Sequence, residues 1–254
     1  LPYRDETAFE IIREQKDELA MVMIEPVQSS NPRLDAGEFL HALKEVCAEC
    51  GVLFLLDEVI TGFRIDYGGG QAHYDIKPDL ATYGKAAGGG LPIGAVGGRK
   101  DIMNTFSGRD KAPYIFTAGT FSGNPLTMTA GIAATTYMRD HQDEIYPYLM
   151  AQGNRLALEV NSFCETHQIP AQIMNAGSMF HLVFTAGEIN SSRDITKDWQ
   201  VAEREFYLHL LGHNVIIPGI HLAFLSFAHK PEHVDAVIDA VKNSFEDMRV
   251  DGII

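Results

Sequence analysis

The sequence is poor in cysteine and in positive charge, and it has no long hydrophobic run. Its 254 residues include three cysteines, and 20 lysines and arginines stand against 34 aspartates and glutamates, a net charge of −14. Three cysteines argue against a disulfide scaffold, and so much negative charge disfavours binding to nucleic acid or to anionic membranes. No apolar stretch approaches the length of a bilayer-spanning helix, and no signal-peptide pattern opens the chain. A soluble cytoplasmic protein is expected.

The length suits one large domain, or one domain and part of another. Apolar residues make up 46% of the chain and charged residues 21%, a composition that can bury a proper core. The chain starts with Leu1 rather than methionine, just before a strand-like segment, so a piece of a longer protein is expected.

The patterns that could bind a metal are incomplete. Cys47 and Cys50 form a Cys-x-x-Cys, but they lie in or beside a predicted helix over 38–49 and have no second ligand pair. His209 and His213 share a helical face, yet no acidic residue lies between them as in a metalloprotease helix. We interpret these residues as packing or surface side chains, and no metal site is predicted.

Continuous apolar runs alternate with helical periodicity in the first half of the chain. The first run stops at Pro26, which cannot extend a central strand. Apolar residues with helical spacing follow and end at Gly51. Fully apolar strands separated by a helix indicate a parallel α/β sheet. The strand candidates are 19–24, 52–56, 79–82 and 93–96.

The second half mixes helices with short strands, which is typical of a smaller α+β domain. A polar stretch at 141–144 and a charged loop at 186–198 interrupt it. We place a domain boundary near residue 145, which separates 1–145 from 146–254. The helix candidates are 124–140, 146–167, 201–211 and 231–248, and the strand candidates are 179–184 and a pair around 215–227.

Three ionisable side chains stand at or just beyond the carboxyl ends of predicted strands. Glu25 and Asp57 follow apolar runs, and Lys85 follows the third strand among glycines. Ligands of parallel α/β sheets collect at this edge. A Schiff-base cofactor needs an amine for the covalent link and an acid that keeps its ring nitrogen protonated. Taken without its surroundings, the pair also fits a solvated loop lysine and a helix-capping aspartate.

The glycine-rich segments do not match the common phosphate-binding patterns. Lys85 does not belong to a P-loop, because Ala86 stands where Ser or Thr would bind magnesium. The glycine triplets at 68–70 and 88–90 do not complete a dinucleotide fingerprint, so we expect them to permit unusual backbone angles or close approach. The turn at 118–125 would form an anion site if it faced one, and an ordinary capped helix start is the simpler interpretation.

Five segments occur in the order and form of a known enzyme family. They are Glu25-Pro-Val, Asp57-Glu-Val-Ile-Thr-Gly-Phe63, Pro78-Asp-Leu-Ala-Thr-Tyr-Gly-Lys85, Gly88-Gly-Gly-Leu-Pro-Ile-Gly94 and Ala118-Gly-Thr-Phe-Ser-Gly-Asn-Pro125. Together they resemble class III aminotransferases, pyridoxal-phosphate enzymes of fold type I. The resemblance implies part of a large domain with a mainly parallel sheet over 1–145 and an α+β small domain over 146–254, as the C-terminal part of a longer unit. It also implies pyridoxal 5′-phosphate as cofactor and a homodimer.

The resemblance assigns roles to matching positions. Lys85 would bond the cofactor and move the substrate proton, and Asp57 would pair with the pyridinium nitrogen. Val59 would pack against the ring, and Thr120 would bind the cofactor phosphate of the partner subunit. Glu25 would lie near Asp57, behind the residues that touch the cofactor.

Other positions depart from the common pattern. Ile60 stands where many members carry Gln, and Ser30 stands where some carry Glu or Asn. Gln28 and Ser30 are weaker candidates for cofactor contacts. The segment 25–32 resembles the aminotransferase domains of polyketide and nonribosomal-peptide megasynthases, whereas 122–125 and 177–180 resemble glutamate-1-semialdehyde aminomutases. The aminomutase Pro-Ser-x-Phe-Glu-Ala segment is missing at 218–221.

Three functional hypotheses follow. The first is amino transfer from a donor such as glutamate to a keto group, by resemblance a β-ketoacyl thioester on an acyl carrier protein. The second is a glutamate-1-semialdehyde 2,1-aminomutase, which returns the amino group to its own substrate. The third is a non-catalytic dimerisation or docking remnant, because the family's phosphate loop and ring-stacking aromatic would lie upstream of Leu1.

Overall fold

The computed structural model describes residues 1–106, 114–185, 187–195, 199–217 and 222–254. Its contacts divide the chain into two compact units. Unit 1 comprises Leu1–Pro26 and Ala36–Gln142, and unit 2 comprises Val27–Asp35 and Asp143–Ile254. The contacts divide the chain between residues 142 and 143, and the sequence placed the boundary near residue 145. No sequence pattern predicted that 27–35 packs with unit 2.

In the described part of unit 1, four strands form one sheet in the order β1-β2-β3-β4. The neighbours β1, β2 and β3 are parallel, whereas β4 runs antiparallel to β3. The prediction of a mainly parallel α/β sheet is confirmed, and each predicted strand is present with its ends moved by one or two residues. The strands are β1 (Met21–Ile24), β2 (Leu53–Glu58), β3 (Leu80–Gly84) and β4 (Gly94–Gly98).

Capping groups mark the ends of two helices of unit 1, α2 (Gly37–Cys50) and α5 (Pro125–Asp140). Gly51 ends α2 with a φ of 71°, and its N–H donates to carbonyls of the last turn. The side chain of Asn124 accepts hydrogen bonds from two backbone N–H groups in the first turn of α5, which also carries Pro125. The helices are α1 (Thr7–Gln15), α2 (Gly37–Cys50), α3 (Gly69–His73), α4 (Lys100–Met103) and α5 (Pro125–Asp140).

Three strands of unit 2, among its described residues, form an antiparallel sheet in the order β5-β6-β7. The unit also contains α6, α7 and α8, and aromatic rings join α7 and α8 to β6. The centroids of Phe206 and Phe245 are 5.0 Å apart, and that of Phe184 lies 5.8 Å from each. The elements are α6 (Gln142–His167), β5 (Ala171–Ala176), β6 (Met179–Phe184), α7 (Gln200–Gly212), β7 (Ala223–Phe224) and α8 (Pro231–Val250).

Three predictions for unit 2 were wrong or incomplete. The polar stretch at 141–144 is mostly helix, because α6 already begins at Gln142 and its acidic first turn suits a helix N-terminus. Strand β5 was missed, and the expected strand pair around 215–227 contains only the two-residue β7 among its described residues. The positions 218–221, where the aminomutase segment is missing, lie outside the described residues. None of the described helices is long and apolar enough to cross a membrane.

Candidate functional site

Asp57 lies near the carboxyl end of β2 and is half-buried. The register pairs it with Thr82 of β3, and the Thr82 hydroxyl donates a hydrogen bond to Asp57 Oδ1 at 3.0 Å. The backbone N–H of Val59 donates to the same oxygen at 3.1 Å. Among the described residues both bonds fall on Oδ1, so Oδ2 keeps its capacity to accept from a further donor.

Val59 follows β2 and, two residues after Asp57, lies on the same side of the sheet. A Cβ built on Gly84 would lie 3.3 Å from Val59 Cγ1. The glycine therefore lets the valine side chain sit directly beside the backbone that precedes Lys85. This contact joins the ends of two neighbouring parallel strands.

Lys85 is exposed and opens a 3₁₀ turn, Lys85–Gly88, immediately after β3. Its φ of 44° is left-handed, which costs a residue other than glycine about 1–2 kcal/mol. A Cβ built on Gly89 would lie 2.7 Å from the carbonyl oxygen of Ala130, so the turn rests against α5. The φ angles of 60° at Gly89 and 92° at Gly90 confirm the predicted role of this triplet.

The neighbouring strand brings Glu25 to the same edge. Ile24 of β1 pairs with Leu56 of β2, so Glu25 lies one residue further, level with Asp57. Its side chain is half-buried. The structure thus brings the ends of β1, β2 and β3, with Glu25, Asp57, Val59 and Lys85, to one edge of the sheet, as the sequence predicted.

Thr120 is exposed in a groove of about 420 Å³ in unit 1. Asn124 Oδ1 accepts from the N–H groups of Leu126 and Thr127 at 3.0 and 3.2 Å, so the helix start is an ordinary capped one. An anion in this groove would meet the hydroxyls of Thr120 and Ser122. The contact between Thr120 and a partner's cofactor stays a prediction. The groove is lined by Pro92, Ile93, Gly94, Gly119, Thr120, Phe121, Ser122, Gly123, Asn124, Thr127 and Met128.

Gln28 and Ser30 belong to unit 2. The Ser30 carbonyl accepts a hydrogen bond from Nδ1 of the buried His181 of β6 at 2.8 Å. Gln28 forms an isolated bridge with Asn31. These bonds shape the segment 27–35 and hold it on β6, and the predicted cofactor contacts of Gln28 and Ser30 stay predictions.

Sequence reasoning missed Glu58, which is completely buried. Its carboxylate accepts from the backbone N–H of Gly70 at 2.9 Å and of Gln71 at 2.8 Å, and from the Thr61 hydroxyl. Gly69, with a φ of 69°, would bring a Cβ within 2.6 Å of Glu58 Oε2, so the first glycine triplet also serves close approach. The available signal was an acidic residue at the end of a buried strand.

The remaining candidates are two buried cysteines and two partly exposed histidines that lie beside aspartates. Burial raises the pKa of Cys47 to about 11 and that of Cys164 to about 12, so both are protonated thiols. His213 Nε2 lies 2.8 Å from Asp247 Oδ2, and His209 Nε2 lies 3.4 Å from Asp251 Oδ2. Within the described ranges, no group of three or more His, Cys, Asp or Glu side chains could hold a metal ion.

Residues 4–246 match the family model "Aminotransferase class-III". Over 245 residues the chain is 37% identical to a Clostridium botulinum protein named glutamate-1-semialdehyde 2,1-aminomutase, a match that covers 94% of this chain and 56% of that protein. The chain therefore spans little more than half the length of this curated relative.

Solved structures show the same architecture. An omega-transaminase from Sphaerobacter thermophilus has a TM-score of 0.90 at 31% identity, and a β-phenylalanine aminotransferase from Variovorax paradoxus has 0.89 at 29%; each match covers 98% of this chain and 57% of that chain. A transaminase solved with pyridoxal phosphate bound has a TM-score of 0.83 at 25% identity, covering 100% of this chain and 58% of that chain. These matches confirm a partial fold type I architecture.

Proposed function

The chain belongs to the class III aminotransferase family, whose cofactor is pyridoxal 5′-phosphate, and we propose that it carries the amino-transfer site of such an enzyme. The observation that carries the proposal is the common edge of β2 and β3, where the Asp57 carboxylate, the Val59 side chain and the Lys85 amine follow neighbouring parallel strands. The match covers 56% of the Clostridium botulinum relative, so the activity of a whole enzyme is part of this proposal.

The residues at this edge fit the cofactor. Asp57 Oδ2 can accept the N–H of a protonated pyridine ring, and a carboxylate there favours that protonated form. Val59 supplies an apolar side chain beside Gly84, the residue before Lys85. When bound, pyridoxal phosphate supplies an aldehyde that captures amines and a ring that withdraws electrons from the substrate carbon. Lys85 would provide the amine that binds this aldehyde and the base that accepts and returns the proton of the substrate α-carbon.

The names of the relatives favour the aminomutase as substrate assignment. The 37% identical protein carries that name, and the segments 122–125 and 177–180 agree with it. We therefore place intramolecular amino transfer on glutamate-1-semialdehyde first, ahead of the carrier-bound β-ketoacyl acceptor that the sequence had favoured.

Intermolecular transfer to a β-keto group is the second candidate. Ser30 and Ile60 depart from other family members, and a β-phenylalanine aminotransferase is among the similar structures. A β-amino product would come from a β-keto acceptor such as the thioester on an acyl carrier protein, and that carrier would then be a partner.

Two incubations of the intact protein separate the candidates. Conversion of glutamate-1-semialdehyde to 5-aminolevulinate supports the first, and release of 2-oxoglutarate from glutamate with a carrier-bound β-ketoacyl thioester supports the second. Lys85→Ala should abolish either reaction, whereas Lys77→Ala, another exposed lysine of unit 1, should leave it unchanged. A folded dimer with no cofactor absorbance would instead favour the docking remnant.

We also propose a homodimer. Phe121, Leu126 and Ile132 are 82%, 70% and 63% exposed on α5 and the loop before it, and large apolar side chains exposed on neighbouring segments favour a protein contact there. Thr120 lies beside Phe121, so a partner seated on this surface would come within its reach. Ile132→Glu should lower the mass measured by light scattering towards that of a monomer, whereas Val250→Glu, at an 86% exposed valine of unit 2, should not.

A further inference from the structure

The face of the sheet behind Asp57 carries a chain of hydrogen bonds that the proposed function does not use. Glu58 follows Asp57 on β2, so its side chain lies on the opposite face. The backbone N–H of Gln71 donates to Glu58 Oε1 at 2.8 Å, and its side-chain amide donates to the Tyr83 hydroxyl at 2.6 Å. Tyr83 pairs with Glu58 in the register and stands two residues before Lys85.

The Tyr83 side chain is also held by packing. A Cβ built on Gly62 would lie 2.9 Å from Tyr83 Cδ1, so the loop after β2 rests directly on the ring. The Phe63 ring lies 6.0 Å away between centroids. Burial raises the pKa of Tyr83, with a further increase from the Glu58 charge and an opposing effect of the Gln71 bond. The hydroxyl is therefore neutral at physiological pH and available to the Gln71 amide.

Lys85 needs fixed flanks because its φ of 44° is unfavourable for a lysine. Such a conformation persists where the surrounding structure over-determines it. On the carboxyl side, the turn Lys85–Gly88 is held by the close contact of Gly89 with α5. On the amino side, Gly84 has no side chain that could anchor it. The nearest anchored side chain is Tyr83.

We propose that Gln71 and Tyr83 are positioning residues for Lys85, with buried Glu58 as the anchor of the chain. The inference rests on the proposed function, since it concerns the same amine. Both act from the face of the sheet opposite Asp57, through the backbone at the end of β3. Without the hydrogen bond between Gln71 and Tyr83, the end of β3 is held less firmly and Lys85 can leave its left-handed conformation. Its amine then reaches the cofactor aldehyde less often.

Two conservative changes remove the bond from either end in the intact protein. Tyr83→Phe keeps the ring against Gly62, and Gln71→Met keeps a side chain of similar length. With added pyridoxal phosphate as probe, we expect each change to slow formation of the covalent bond to Lys85 about fivefold, the factor for a hydrogen bond of about 1 kcal/mol. The pH midpoint of the cofactor absorbance should shift as well, which a simple loss of stability would not cause.

The double variant and a matched control make the test specific. Tyr83→Phe removes the bond from the Gln71 amide, and Gln71→Met removes this bond together with the 3.5 Å contact from the same amide to Glu58 Oε1. The double variant should therefore be no slower than Gln71→Met alone. Tyr148→Phe removes a hydroxyl bond of the same 2.6 Å length, to the His229 carbonyl in unit 2, and should change neither readout. Wild-type rate and pH midpoint in Tyr83→Phe, or additive effects of the two changes, overturn the inference. A wild-type protein that forms no bond with the probe overturns the proposed function instead.

Discussion

Replacement of Glu58 by glutamine should destabilise unit 1 by about 1.5–6 kcal/mol. Glu58 Oε1 accepts from the N–H of Gln71, and Oε2 accepts from the N–H of Gly70 and from the Thr61 hydroxyl. An amide keeps one acceptor oxygen and turns an NH₂ group towards the remaining donors. One or two bonds to a charged acceptor are lost in a site with no solvent access, and each contributes about 1.5–3 kcal/mol.

Hydrogen exchange of the two acceptor-bound amides measures this effect locally. In Glu58→Gln we expect the amides of Gly70 and Gln71 to exchange at least about tenfold faster, and the intact protein to melt earlier. Glu159→Gln is the matched control, because Glu159 is partly exposed and its pair with Lys242 at 3.2 Å contributes less than about 1 kcal/mol. Unchanged exchange at both amides would refute the buried carboxylate as their acceptor.

Two further predictions concern thiol reactivity and close packing. At pH 8 a thiol-alkylating reagent should modify Cys50 before Cys47 and Cys164, because burial keeps the latter two protonated until the pH approaches about 11 and 12; equal rates by mass spectrometry would contradict this. Gly153→Ala should lower the melting temperature, with a loss of at least about 1–3 kcal/mol, because its Cβ would lie 1.8 Å from the Gly177 carbonyl oxygen; an unchanged melting curve would show that α6 can shift away.

The strands β1 and β2 were predictable because each contains an uninterrupted run of apolar residues. Val22, Phe54 and Leu56 are at most 5% exposed, and such runs carry a signal that does not depend on distant partners. The convergence of Glu25, Asp57 and Lys85 followed from the same signal, since parallel strands present their carboxyl ends at one edge.

The rest depended on contacts between distant parts of the chain. β5 escaped prediction because Gln172 and Asn175 interrupt its apolar pattern, while the Asn161 side chain of α6 bonds both the N–H and the carbonyl of Ile173. The assignment of 27–35 to unit 2 depends on bonds such as that from His181 to the Ser30 carbonyl, 151 positions away. Local propensity does not encode either pairing.

Side chains alternate between the two faces of a sheet, so the adjacent acids Asp57 and Glu58 at the end of β2 lie on opposite faces. Asp57 faces Thr82, and Val59 on the same side touches Gly84, so this face holds the polar and apolar groups that suit a cofactor. Glu58 points to the other face and binds backbone N–H groups of the glycine-rich segment at 69–71. A shift of register by one residue would exchange the two faces, moving Asp57 to the face that Glu58 now occupies and Glu58 to the face of Thr82. The bonds of Glu58 therefore also oppose a slip of β2, which gives the buried acid a part in keeping Asp57 on the face of the proposed chemistry.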